Sequence, residues 1–344
     1  MKILVTGTAG FIGFHTVKNL AAQGHRVIGI DNINGYYDID LKYSRLELSG
    51  INKHYIRSHQ PVKSTIYPNY TFYKADLQDK VFIDQLFSIE KFDVVCHLAA
   101  QAGVRFSIEN PYSYVNSNII GFLNILEACR FNPVKHLVYA SSSSIYGLNE
   151  KVPYSETDQV DTPVSLYAAT KKSNELMAHA YGKLYQIPTT GVRFFTVYGP
   201  WGRPDMAPFL FMDSIMNGTP IKVFNNGDLS RDFTYIDDIV ECLSLILERA
   251  PKGELPYNIY NVGAGKPIQL MDFISAIENA TGKKAIKQFV DMQRGDVYKT
   301  FADTSRLQND LNIKPQITVE EGISRFFDWY LEHSRKNSKK LSFS

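Results

Sequence analysis

The sequence predicts an α/β protein built on a doubly wound parallel sheet, with a smaller, discontinuous α/β unit in its C-terminal half. Three observations predict it. Short apolar runs alternate with amphipathic helical stretches through the first half, the pattern of strands joined by right-handed crossovers. A loop with three glycines separates the first strand from the first helix, where such sheets take a ligand. After Pro200 the rhythm loosens, and Pro204, Pro208, Gly218, Pro220 and Gly227 cut the chain into shorter elements.

Ile3-Leu4-Val5 reads as the first strand, and a helical pattern follows through 16–22. Arg26–Asp31 is the second strand, and 70–75, 93–98 and 136–140 are later ones. Long helical patterns cover 111–130 and 165–185. A helix at 237–249 and a strand at Tyr257–Val262 return to the larger unit. The stretch 33–68 breaks the rhythm; it is polar and tyrosine-rich, and reads as an insertion or a helix-and-loop excursion over the site. The chain thus divides into 1–196 plus 237–266, then 197–236 plus 267–332. A flexible tail, 333–344, carries Arg335, Lys336, Lys339 and Lys340 and few core-forming residues.

At 344 residues the chain is long enough for one large α/β unit and a smaller one. Its 44% hydrophobic and 21% charged residues suit a globular protein and argue against disorder. A net charge of +2 excludes a generally basic nucleic-acid binder, although single arginines can still meet an anionic substrate. Cys96, Cys129 and Cys242 are widely spaced and form no Cys-x-x-Cys, so free thiols in a reducing compartment are expected, with no metal site. The apolar run after Met1-Lys2 is too short for a signal peptide, and no stretch reaches the roughly 20 apolar residues of a membrane span. The expectation is a cytoplasmic protein without membrane or nucleic-acid partners.

Thr6-Gly7-Thr8-Ala9-Gly10-Phe11-Ile12-Gly13 lies where a pyrophosphate loop must lie. Gly7 permits the tight turn, Gly10 lets backbone approach phosphate, and Gly13 permits close helix packing. The helix N-terminus at Phe11 and Ile12 supplies N–H groups and dipole to the anion. Asp31 ends the second strand; a carboxylate there accepts from both adenosine ribose hydroxyls and repels a 2′-phosphate, which favours NAD over NADP. Asn32 beside it, Asp76-Leu77 after the third strand and Leu98-Ala99-Ala100 after the fourth are the other expected cofactor contacts, with strand-end packing as the alternative for each. The larger unit therefore reads as a Rossmann-type NAD-binding domain.

Tyr167 and Lys171, in Tyr167-Ala168-Ala169-Thr170-Lys171, stand one helical turn apart on one face. A free phenol, with a pKa of about 10, is a poor base at neutral pH. A nearby ammonium group stabilises the phenolate, so the pair is expected to bring Tyr167 toward the working range.

These motifs are joined by His97-Leu98-Ala99-Ala100, Ser141-Ser142-Ser143-Ser144-Ile145-Tyr146-Gly147, Arg193-Phe194-Phe195-Thr196-Val197-Tyr198-Gly199-Pro200 and Arg231-Asp232-Phe233-Thr234-Tyr235. With them the chain resembles the extended short-chain dehydrogenase/reductase family, and within it the nucleotide-sugar epimerases, from Thr6 to Asp296. The resemblance implies that Ser142 is a catalytic hydroxyl bonding the substrate O4 beside Tyr167, while Lys171 binds the nicotinamide ribose and tunes the phenol. Tyr167 then takes the C4 hydroxyl proton as hydride leaves C4, the flat 4-ketosugar swings about its pyrophosphate linkage, and hydride returns to the other face. Asn118 falls where the family has an active-site asparagine; a buried helix amide is its other reading.

Dehydratases of the family place Asp-Glu after the catalytic hydroxyl; Ser143 and Ser144 stand there and cannot do acid/base work. Trp201-Gly202-Arg203-Pro204-Asp205-Met206-Ala207 and Gln101-Ala102-Gly103-Val104-Arg105 resemble UDP-glucuronate 4-epimerases more than UDP-glucose or UDP-N-acetylglucosamine epimerases. The implied reaction is UDP-glucuronate to UDP-galacturonate. An arginine suits a uronate because guanidinium meets carboxylate bidentately. By resemblance Arg203 is the clamp, with Thr196, Ser143 and Ser144 as helpers; a surface salt bridge to Asp205 is its alternative. Arg231 and Arg294 are implied diphosphate contacts, Asp296 a uridine ribose contact, and Phe224 either a uracil platform or core. Arg105 is a further substrate candidate. The nearest rival is a UDP-glucuronate decarboxylase, against which Thr196-Val197 argues mildly, followed by a neutral UDP-hexose epimerase and a non-catalytic NAD-binding regulator. The family also implies a homodimer packed through 111–130 and 165–185, and a place in polysaccharide biosynthesis.

Overall fold

Strand β1 (Lys2–Thr6) leads through the glycine loop into α1 (Phe11–Ala22) and β2 (Arg26–Asp31) in the computed structural model, which describes residues 1–292 and 297–341. The excursion holds α2 (Ile39–Leu48) and the short β3 (Pro61–Lys63). Next come β4 (Tyr70–Lys74), α3 (Lys80–Glu90), β5 (Val94–His97), two single turns, α4 (Phe106–Glu109) and α5 (Pro111–Tyr114), and then α6 (Gly121–Phe131), β6 (His136–Ser142), α7 (Leu166–Tyr185) and β7 (Thr189–Phe194). Beyond them lie β8 (Thr196–Tyr198), α8 (Ala207–Asn217), β9 (Ile221–Phe224), β10 (Ser230–Tyr235), α9 (Ile236–Glu248) and β11 (Tyr257–Val262). The chain closes with β12 (Pro267–Gln269), α10 (Leu270–Thr281), β13 (Lys287–Val290), α11 (Ser305–Leu311) and α12 (Val319–Leu341).

Eight strands form one sheet in the order β11-β7-β6-β5-β1-β2-β4-β3, parallel throughout except for β3 against β4. Helices on both faces bury its strands, which is why they read as near-continuous apolar runs; Ile3, Leu4, Val5, Val95, Leu137 and Val138 are wholly buried. The order reverses between β1 and β5, so a crevice opens beyond their C-terminal ends. Register sets what meets there. Thr6 pairs with His97 and Ser142 with Phe194, so the glycine loop, Leu98-Ala99-Ala100 and the serine turn leave the sheet side by side.

The later strands make a three-stranded sheet, β12-β10-β8, and a two-stranded one, β13-β9. Strand β11 does not join them; it extends the large sheet beside β7, and α9 lies against α1. Among the described residues, no helix is long and apolar enough to cross a membrane.

Two sequence expectations need correction. The helix read over 111–130 is broken: α5 and α6 are separated by a π-helical turn, Val115–Ile120. Within that turn the Asn118 main-chain carbonyl accepts from the Asn174 amide at 2.6 Å, while its own side-chain amide donates to the Gln101 carbonyl and the Thr170 hydroxyl, both at 3.0 Å, and accepts from the Gln101 N–H at 2.8 Å. Asn118 is a buried amide, and it pins the 101–105 loop that lines the cleft. The tail expected from His333 is instead the continuation of α12, which runs to Leu341, because His333 stacks on Trp329 and meets the edge of Trp201.

Candidate active site

The crevice is a cleft of about 1000 Å³ lined by residues of the large sheet's C-terminal loops and of the two smaller sheets. Its floor is the glycine loop. Gly7 has φ +78°, and a Cβ there would stand 2.9 Å from the Ala99 nitrogen; a Cβ on Gly13 would stand 2.1 Å from the Gly7 carbonyl oxygen. Neither position admits a side chain, so the loop is drawn tight under α1, which starts at Phe11 with no side-chain cap on its first N–H groups. The Asp31 carboxylate accepts from the Ala9 N–H at 3.0 Å and the Ile33 N–H at 2.7 Å. Two carboxylate oxygens offer about four acceptor positions, so it keeps capacity for ribose hydroxyls. Asn32 donates to Asp76 at 2.9 Å, and Asp76, Leu77, Leu98, Ala99 and Ala100 all line the cleft. The cradle and its terminal carboxylate fit NAD.

Thr6 fixes the neighbouring strand ends. Its hydroxyl accepts from the Leu98 and Ala99 N–H groups at 3.1 and 3.0 Å, leaving its own proton for His97 Nδ1 at 3.0 Å. A neutral imidazole suits that bond, and burial pushes His97 down to about 3.

Ser142 ends β6, and Tyr167 lies in the first turn of α7, whose N-cap Ser165 accepts from the Ala168 N–H at 3.1 Å. Tyr167, Lys171 and Ser142 meet at the cleft. Lys171 is buried and donates to the Ala140 carbonyl at 2.9 Å; burial pushes its ammonium down to about 8. The expected depression of the phenol is not found. Burial raises Tyr167 above the ordinary tyrosine value, opposed by its hydrogen bond with Ser142 and by the Arg203 charge. Burial of the phenol is the dominant cause, and Lys171 is engaged with the Ala140 carbonyl on β6.

Arg203 reconciles its two readings. It pairs with Asp205 through Nε, at 3.0 Å, and through Nη2. The Tyr36 hydroxyl donates to Asp205 at 3.0 Å, with Arg203 Nη2 at 3.5 Å from it. The salt bridge is real, and Arg203 also lines the cleft with Nη1 making no hydrogen bond among the described residues. Thr196, Ser143 and Ser144 line the same cleft, and Ser142 donates to Ser144 at 3.1 Å. Arg105 stands over the Phe224 ring at 5.0 Å, so Phe224 borders the cleft as well as core. Arg231 also lines it and donates to the Ser230 and Tyr298 carbonyls at 2.9 and 3.1 Å. Arg294 and Asp296 lie outside the described residues.

Sequence reasoning missed Glu175 and Tyr36 as partners of the site, and gave Arg193 no role beyond its place in a motif. Glu175 takes Arg193 Nε and Nη2, both at 2.9 Å, and the Ser141 hydroxyl at 2.6 Å, with both charged side chains 3% exposed. That pair bolts α7 to β7 and β6 directly beneath Ser142. Its signal was available: 167, 171 and 175 form one helical stripe.

The model of the NAD dependent epimerase/dehydratase family matches residues 3–263. The chain is 50% identical to "Protein CapI" of Staphylococcus aureus, covering 98% of this chain and 100% of that one. It is 45% identical to a "Probable UDP-glucuronate 4-epimerase" of Rhizobium meliloti, covering 98% of each. Among solved structures, it is similar to UDP-glucuronic acid 4-epimerase from Bacillus cereus in complex with UDP-glucuronic acid and NAD. That similarity has a TM-score of 0.86 at 32% identity, over 97% of this chain and 100% of that one.

Proposed function

The chain belongs to the NAD dependent epimerase/dehydratase family, and on that footing we propose that it inverts C4 of UDP-glucuronate to give UDP-galacturonate. The observation that carries the reading is Arg203, a guanidinium acting on the Tyr167 phenol, lining the same cleft, with Nη1 left over from its pairing with Asp205. A carboxylate at C6 of a sugar bound at Tyr167 meets that donor with a full negative charge, whereas the C6 hydroxyl of a neutral hexose offers only a neutral acceptor.

The glycine loop and the start of α1 hold the pyrophosphate of NAD, Asp31 its adenosine ribose, and Lys171 its nicotinamide ribose. When bound, NAD supplies the acceptor and later the donor of the C4 hydride. Tyr167 accepts the proton of the C4 hydroxyl and gives it back, with Ser142 holding O4. The sugar turns between these events, and Arg231 with Phe224 retains the nucleotide. Arg203 keeps the carboxylate out of line with the C4 carbonyl, because a β-keto acid loses CO₂ when the bond to its carboxylate aligns with the ketone π-system.

We assign the chain a homodimeric state through α6 and α7. Both present large apolar side chains to solvent, with Phe131 67%, Leu176 58% and Leu184 69% exposed. Light scattering at micromolar concentration tests it; a monomer mass overturns it.

The activity is tested by following UDP-glucuronate by NMR with purified protein and no added cofactor. UDP-galacturonate without CO₂ is expected. UDP-xylose would move the chain to the decarboxylases, and turnover of UDP-glucose alone would overturn the role of Arg203.

A further inference from the structure

Arg45, on α2, is 0% exposed and lies within the excursion that the sequence left without a role. A buried guanidinium is costly unless its charge is met and its donors are filled. Here no carboxylate pairs with it among the described residues, yet five donors find partners. Nη1 donates to the Ala9 carbonyl at 2.9 Å and the Tyr37 hydroxyl at 2.6 Å. Nε donates to the Trp201 carbonyl at 3.1 Å, and Nη2 donates to the Trp201 and Gly202 carbonyls at 2.8 and 3.2 Å. Packing alone would be served by an apolar side chain. What the guanidinium adds is the fixed position of three main-chain carbonyls from two distant segments.

Those segments are the two that matter for the sugar and the cofactor. Ala9 lies in the glycine loop. Trp201 and Gly202 immediately precede Arg203, and Trp201 has φ +63°, a left-handed conformation that a bulky side chain adopts only when its surroundings impose it. The Trp201 carbonyl takes two of the five bonds, and its ring is wedged among Phe14, Trp329 and His333. From the same excursion, Tyr36 grips the Asp205 side of the Arg203 pair.

We infer that Arg45 is a positioning residue, which aims Arg203 at the sugar carboxylate through the Trp201-Gly202 carbonyls and locks that aim to the cofactor loop through Ala9. The inference rests on the uronate reading above. It makes a distinct demand on the products. If Arg203 loosens, the carboxylate of the 4-ketouronate can rotate into line; the C5–C6 bond then breaks, its electron pair enters the C4 carbonyl as an enolate, CO₂ leaves, and C5 takes up a proton. The result is a UDP-4-ketopentose, which becomes the 4-hydroxy pentose only when the hydride first taken from C4 is returned by the reduced nicotinamide and Tyr167 returns the proton to O4.

The test compares Arg45→Lys and Arg45→Met with the parent holoenzyme on UDP-glucuronate, measuring pentose and galacturonate nucleotides in one NMR time course. Retained NAD and melting temperature are recorded alongside. Lysine keeps the charge but, as a point donor, cannot reproduce the five-bond fork. At least a tenfold rise in the pentose-to-galacturonate ratio is expected in both variants, with a raised KM for UDP-glucuronate. This ratio is independent of how much protein is folded. An unchanged ratio and KM with only a lower melting temperature would overturn the inference and leave Arg45 as fold support. If neither variant folds, Tyr37→Phe removes one acceptor only; a raised ratio supports the inference and an unchanged one overturns it. Failure of the parent enzyme to make UDP-galacturonate would instead sink the uronate reading.

Discussion

Lys171→Met should destroy turnover and yet stabilise the cofactor-stripped fold. The ammonium is 3% exposed, has one bond to the Ala140 carbonyl at 2.9 Å, and is pushed by burial from the ordinary 10.5 down to about 8. At about 1.4 kcal/mol per pH unit, keeping it charged at pH 7 costs the fold on the order of 3 kcal/mol. Methionine retains the apolar stem and forfeits the bond, worth about 1 kcal/mol, for a net gain of about 2 kcal/mol. A melting entropy of about 2.1 cal/mol/K per residue turns that into a rise of about 3 °C. Its pH dependence has a definite sign. The unfolded chain keeps this proton up to 10.5 and the folded chain only to about 8, so parent stability rises with pH across that window. The advantage of the variant should therefore be full below pH 8 and vanish above 10.5. Circular-dichroism melts from pH 7 to 11 check it. A variant no more stable than its parent at pH 7, or an advantage that persists unchanged through pH 10.5, would refute the reasoning.

Tyr167→Phe should reduce epimerisation by roughly a thousandfold or more while UDP-glucuronate still binds within a few-fold, by calorimetry, because proton transfer is lost and the binding groups stay. Arg203→Met should raise KM for UDP-glucuronate about tenfold to a hundredfold, the worth of a charged hydrogen bond, with UDP-glucose binding unchanged. Glu175→Ala should cost about 3–5 kcal/mol in denaturant unfolding, since it leaves Arg193 buried and unpaired, whereas Glu175→Gln should cost less.

The strands and the glycine loop were legible because their signals are local: period, apolar runs, and the φ that Gly7 must adopt. The π turn at Val115–Ile120 was not, because an α-helical period reads straight through it, and the partners of Asn118, namely Gln101, Thr170 and Asn174, lie on other elements. Tyr36 and Arg45 read only as members of a polar, tyrosine-rich stretch. Their partners, Asp205 and Trp201, stand 169 and 156 residues away, beyond the reach of any spacing argument. The direction of the Tyr167 shift failed for a related reason. Sharing a helix face placed the Tyr167 and Lys171 side chains on one side of α7, but the burial that raises the phenol comes from the packing of other elements around it.

An enzyme that inverts C4 of a uronate faces opposed demands: the sugar must turn over, while its carboxylate must never align with the ketone. Loose protein around the sugar would serve the first and defeat the second. The structure answers by putting the rigidity on one arm. Asp205 and Tyr36 hold the Nε–Nη2 edge of Arg203, Arg45 holds the main chain behind it, and in the role proposed for Arg203 its Nη1 would meet the sugar carboxylate. A single donor aimed from a fixed frame restricts where a carboxylate can point without enclosing the ring that carries it. On this argument the excursion is what separates epimerisation from decarboxylation. In the proposed mechanism Ser142, Tyr167 and Lys171 would begin both reactions alike, and the stiffness behind Arg203 would decide which one finishes.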